Sequence, residues 1–128
     1  MTSSEIRKKI DELVNGLADF NRQVDDTITK YTDAINEIRE IESTIGNSQD
    51  TLVIKSISNS NGKILEKTTK LIEKIESERN NVVNKINKKI ADLIEMEKLA
   101  IIEEEKIRER QRRQNLEKQN NVPTNEEK

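Results

Sequence analysis

The sequence predicts an all-α protein, an elongated antiparallel two-helix hairpin of coiled-coil type. Three observations carry that prediction. Ile10, Leu17, Val24, Tyr31, Ile38 and Ile45 recur every seven residues without a gap, and Leu65, Ile72, Ile86, Leu93, Ala100 and Ile107 do the same later, with Arg79 the one break. Apolar residues at sevens with a companion row mark a helix packed along its length on another helix. The composition agrees: 38% of the 128 residues are charged, and there are one Pro and three Gly. The chain has no Trp, with Phe20 and Tyr31 its only aromatics. A thick globular core would use more large rings, so the expected core is a strip between helices.

The first helix is expected over residues 3–45. Thr2, Ser3 and Ser4 offer hydroxyls to the first free backbone N–H groups, and Glu5 suits the positive helix end. Ile6, Leu13, Phe20, Ala34 and Ile41 form the companion row, with Thr27 its polar member. Val14, Ile28 and Ile35 widen the stripe by one further position. Gly16 lies inside at a cost of about 1 kcal/mol relative to Ala.

A break is expected over 46–62. Gly46 suits the left-handed residue that follows many helices, and Asn47 and Ser48 favour turns. Thr51 to Ile54 reads equally as a one-turn helix, an extended link or the start of the next helix. Ser58-Asn59-Ser60-Asn61-Gly62 reads as a second polar break.

The second helix is expected over about 63–115. Thr68, Ile75, Val82 and Met96 form its companion row, and Glu76 to Asn81 makes a polar band, which reads either as a register-fixing polar layer in the seam or as a solvated face with a local stutter. The apolar rows end at Ile107. The hairpin would close by residue 117, leaving 118–128 as a disordered tail.

Charge and composition exclude more than they select. Net charge is −2. Residues 1–46 carry 6 basic and 10 acidic side chains, and residues 47–128 carry 17 and 15, so the halves are mildly complementary. Without His or Cys there is no usual base for a Ser nucleophile, no thiolate and no Cys- or His-based metal site. Gly16, Gly46 and Gly62 are isolated, so there is no phosphate loop. Pairs such as Glu37 and Glu40 read as surface charge. No catalytic, cofactor or metal residues are assigned, and a non-enzyme is expected.

Lys106, Arg108, Arg110, Arg112 and Arg113 form a basic cluster, but Glu103, Glu104 and Glu105 precede it and no aromatic accompanies it for base stacking. Nucleic acid is therefore disfavoured. No apolar run approaches the ~18 residues of a membrane span, and the start has no apolar signal segment. The expectation is a cytoplasmic protein, or one exported without a cleaved signal peptide.

Protein–protein contact remains. The first stripe is wider than a two-helix seam needs. Ile28, Ile35, Val83, Ile90, Ile94 and Ile102 are therefore expected partly outside the seam, as the partner-binding surface. They would complete a bundle with another chain's helices or with a second copy.

In the second helix, Ile86-Asn87-Lys88-Lys89-Ile90-Ala91-Asp92-Leu93, followed by Glu95, Glu97 and Lys98, is similar to the end of the YwqH-like accessory proteins. With its two long helices, the chain resembles the helical-hairpin proteins of type VII secretion, among them the Trp-x-Gly family and the accessory partners of LXG-domain toxins. The chain departs from that pattern at two motifs. Thr44-Ile45-Gly46 stands where Trp-x-Gly is expected, and Tyr31, the only Tyr, is followed four residues on by Ile35 rather than by an acid. The resemblance implies a non-enzymatic accessory or targeting partner of a larger protein's helical domain. The alternative is a structural or scaffolding coiled coil, of the phage or viral assembly type, acting by self-association.

Overall fold

A computed structural model describes residues 1–47 and 50–120. It contains two helices, α1 (Ser3–Ile45) and α2 (Thr51–Asn120), packed against each other as an all-α hairpin, with no strand among the described residues.

Thr2 starts α1. Its hydroxyl accepts from the Glu5 N–H at 3.1 Å, and its carbonyl accepts from Ile6 at 3.1 Å. At the other end the Gly46 N–H reaches the Glu42 carbonyl at 2.9 Å, and Asn47 reaches Thr44 at 3.4 Å. Gly46 does not have the left-handed conformation expected of it, for no described residue has a positive φ.

The expected break is present at Gly46 and Asn47, but its extension through 51–62 is corrected. α2 begins at Thr51, because Asp50 caps it. One Asp50 carboxylate oxygen accepts from the N–H groups of Leu52 and Val53 at 3.1 and 3.2 Å. Ser58 to Gly62 is helical. Ile54, Ile57, Asn61 and Leu65 fall three or four apart and are all half-buried, so packing outweighs the weak helix propensity of Ser, Asn and Gly. The helical span also extends to Asn120 rather than 115. From Asn121 on, the expected tail lies outside the described residues.

Gly16 and Gly62 both sit inside helices, and a Cβ added at either meets nothing within 4 Å. Gly16→Ala and Gly62→Ala are each expected to stabilise the fold by about 0.5–1 kcal/mol, through lower backbone entropy in the unfolded chain. Urea or thermal melts check this. A loss of stability in either variant would mean that its helix is not formed there in solution.

The chain divides into two compact units. In the unit of Met1–Leu13 with Lys88–Lys128, Ile6, Ile10 and Leu93 form the core, and Leu13, Ile90, Ile94 and Ala100 pack around them. The helices run antiparallel here: Ser3 meets Glu104, and Arg7, one turn later, meets Glu97. In the unit of Val14–Asn87, Phe20, Val24 and Thr27 lie beside Ile75, Arg79 pairs with Asp25, and Ile35 is buried. Arg79, the break in the row of sevens, is thus the one member of the polar band that turns inward; Glu76, Ser77, Glu78, Asn80 and Asn81 are exposed.

The rows of sevens hold as far as Ile45 on α1 and Ala100 on α2, but the companion rows change partway. On α1 the inner row is Ile6, Leu13 and Phe20, then Ile28, Ile35 and Glu42, while Thr27, Ala34 and Ile41 are exposed. The steps Phe20 to Val24 and Val24 to Ile28 are two fours in succession. A straight helix drifts about 20° per heptad against a strict seven-residue repeat, and an inserted four-step resets the phase. On α2 the same double step, Val82 to Ile86 to Ile90, brings Ile90, Glu97 and Glu104 inward and leaves Met96 44% exposed.

Candidate partner-binding surface

The six residues expected to form a partner surface fall in three places. Ile35 is 8% exposed and belongs to the hairpin's interior, which corrects the expectation that it stands outside. Ile28 and Val83 are half-buried, as are Ile90 and Ile94, which pack against the Ile6, Ile10 and Leu93 core. Ile102 alone is well exposed, at 49%. The reason is the phase reset: it turns the third row of α1 into the seam row.

In the unit that holds the α1 start, the structure shows a different apolar feature. Leu99, Ala100, Ile101 and Ile102 are four apolar residues in succession. At about 100° per residue they point to all sides of α2. Ala100 lies on the covered side and packs against the core. Leu99 is 65% exposed, and Ile101 and Ile102 stand open beside it. Ile102 follows Leu93 by nine residues, which places it about 180° around the helix from that buried side chain. A helix that is apolar all round is ordinarily covered all round, yet within this unit α1 covers only one side. The signal for this patch was the unbroken run itself, which reading by rows of sevens dilutes.

On the covered side, one ion pair and one carboxylate cap hold the helices in register. The Arg7 guanidinium donates through Nε to Glu97 Oε2 at 2.7 Å and through Nη2 to Oε1 at 2.6 Å. Glu97 is 8% exposed, and both of its oxygens are satisfied, as a buried carboxylate requires. The Glu97 hydrogen bonds, and then its charge, hold the Arg7 guanidinium above its ordinary pKa.

Glu104 caps α1 from the other helix. Its carboxylate accepts from the Ser3 N–H at 2.8 Å and from the Ser3 hydroxyl at 2.7 Å. These bonds, the backbone one foremost, hold its pKa below the ordinary 4.5, aided by Arg108 and opposed by desolvation. A carboxylate with a depressed folded pKa stabilises the fold above its unfolded value, and that contribution is lost as pH falls through the folded value. Glu104→Gln is therefore expected to melt below the wild type at neutral pH, with the gap closing as pH drops below about 4.5. Melting both proteins across that range is the check. A gap that persists in acid would remove the ionic cap as its cause.

Among the described residues no group of three or more His, Cys, Asp or Glu could hold a metal ion, and no helix is long and apolar enough to cross a membrane. The chain matches no protein-family model, and no curated protein or solved structure is significantly similar to it.

Proposed function

We propose that this chain is a non-enzymatic helical interaction module whose exposed α2 surface packs against helices of a larger protein. One observation carries the reading: α2 is apolar on every side from Leu99 to Ile102, while its partner helix covers one side. A second helix or helix pair of another chain would bury Leu99 and Ile102. Each would contribute on the order of 1 kcal/mol or more, since part of each side chain is already covered. Glu95, Lys98 and Lys106 border the patch and would form its polar rim. The resemblance of residues 86–98 to accessory proteins of type VII secretion supports a narrower version. In that version the partner is the helical domain of a secreted toxin-like protein, and the hairpin accompanies or shapes it.

Co-expression with the helical domains encoded beside this chain's gene tests the reading. Leu99→Gln with Ile102→Gln should leave the melting of the free chain within about 0.5 kcal/mol, since both sites are exposed and Gln is a good helix former. The same pair should disrupt the complex. Failure of every such domain to co-purify, or a complex indifferent to both substitutions, would sink it.

A further inference from the structure

Two exposed patches of this chain carry opposite charge around the same kind of side chain. Toward the end of α1, Ile41 is 51% exposed and shares a shallow groove with Glu37, Glu40, Thr44 and Ile45. From residue 33 to residue 45 the chain has four acids, Asp33, Glu37, Glu40 and Glu42, against one cation, Arg39. Near the end of α2, Leu116 is 53% exposed, with Arg112 and Arg113 one turn before it. From residue 106 to residue 118 the chain has six cations, Lys106, Arg108, Arg110, Arg112, Arg113 and Lys118, against Glu109 and Glu117. Every residue from Arg110 to Asn120 is exposed.

We propose that these patches bind one another between copies of this chain, the 106–118 segment of one copy docking on the Glu37–Ile41 groove of the next. The spacings match. Glu37 precedes Ile41 by four residues and Arg112 precedes Leu116 by four, so parallel helices with Leu116 beside Ile41 set Arg112 beside Glu37. Arginine is suited to the task, because its planar fork binds carboxylates in pairs of hydrogen bonds. Arg112 and Arg113 both lean on Glu109 within the helix. Those contacts are exposed and weak, so they exchange readily for an intermolecular carboxylate.

The symmetric alternatives are disfavoured by the same residues. Two basic segments side by side repel, as do two acidic grooves. The basic segment also has no apolar row with which to pair: the seam positions after Ile107 are Gln111, Gln114 and Lys118. A contact between two different patches does not close on itself in a dimer unless the rotation happens to close a ring. The expected product is therefore a distribution of lengths that grows with concentration. This contact uses residues apart from Leu99 and Ile102, and it is measured on the chain alone, so its failure leaves the heteromeric reading untouched and the reverse also holds.

The experiment is sedimentation velocity with light scattering on the full chain, from about 10 to 500 µM, at about 50 mM and 500 mM salt. The expected result is a mass above the monomer that rises with concentration at low salt and falls back at high salt. Arg112→Glu with Arg113→Glu should weaken association about tenfold or more, and so should Glu37→Arg with Glu40→Arg. Mixing the two reversed chains should restore it, since each reversed patch then meets its complement. Circular dichroism verifies that both variants stay helical. If either loses helicity, Leu116→Ser and Ile41→Ser replace the reversals and must each weaken association. A wild-type monomer at every concentration in low salt overturns the proposal. So does association that ignores the substitutions, or a mixture of reversed chains that stays monomeric.

Discussion

Ile10→Asp is expected to unfold the unit made by the start of α1 and the second half of α2. Ile10 is 2% exposed and packs with Ile6 and Leu93 in the most fully buried cluster among the described residues. The substitution first forfeits roughly 1.5–3 kcal/mol of apolar burial. It then places a carboxylate among aliphatic side chains. The Arg7 guanidinium is already engaged by Glu97 and offers no second partner without leaving the first. The carboxyl must therefore take up a proton or drag water into the seam, and either adds further cost. A combined loss on the order of 4–5 kcal/mol consumes most of the stability of a small domain. Thermal melting followed by circular dichroism should show early loss of helicity. Ile102→Asp is the control: that site is 49% exposed, and its melting should stay within about 0.5 kcal/mol of wild type. A wild-type melt for Ile10→Asp would mean that the stripe faces solvent.

The fold was legible because one periodicity does most of the positioning. Each of Ile10, Leu17, Val24, Tyr31, Ile38 and Ile45 is buried or half-buried, and on α2 so are Leu65, Ile72, Ile86, Leu93 and Ala100. Ile107 fits the same row by spacing but is 44% exposed. Glu104 already meets the first residue of α1, so no α1 turn remains to cover the next one. The companion rows were legible only to the phase resets after Phe20 and Val82. A strict seven-residue template cannot register a pair of four-residue steps, and for that reason it puts Ala34, Ile41 and Met96 inside. The start of α2 is hidden by Ser, Asn and Gly, which are weak helix formers yet each lower helix stability by only about 1 kcal/mol or less. One Asp cap and the half-buried row of Ile54, Ile57, Asn61 and Leu65 outweigh them. The inward turn of Glu97 and Glu104 had no sequence signal apart from their spacing of seven, since carboxylates on a charge-rich helix ordinarily face water. Their partners, Arg7 and Ser3, lie ninety or more residues away. Of the proposed interaction surface, spacing marks Ile102, while Leu99 belongs to no row and carries no such mark.

Replacing both Ile28 and Ile35 with Gln is expected to destabilise the Val14–Asn87 unit rather than to leave the fold intact. Spacing alone assigns these two residues to a flank beside the seam, where Gln would preserve helicity and affect only partner binding. The structure assigns them to the seam: Ile35 is 8% exposed and Ile28 half-buried, seven residues before it on the same side of α1. Burial of Ile35 is worth roughly 1.5–3 kcal/mol. A Gln amide in its place would need partners for two N–H donors and a carbonyl, and an unsatisfied buried polar group costs about 1–3 kcal/mol more. Ile35→Gln alone should thus cost about 2.5–6 kcal/mol, and Ile28→Gln less, because water still reaches its site. Ala34→Gln and Ile41→Gln are the matched controls. They sit on the row that spacing favoured, they are exposed, and neither should move the melting midpoint by more than about 0.5 kcal/mol. Urea melts of the four single variants and the double variant decide between the two assignments. If the Ile28 and Ile35 variants melt with the wild type while Ala34→Gln and Ile41→Gln collapse, the seam follows the unbroken heptad and the phase reset at Val24 does not exist in solution. If the Ile35 variant falls, the Ile28 variant falls by less and both controls hold, the reset stands. The Ile28 and Ile35 flank is then closed by the hairpin itself, and of the six residues that spacing sets outside the seam only Ile102 stands well exposed.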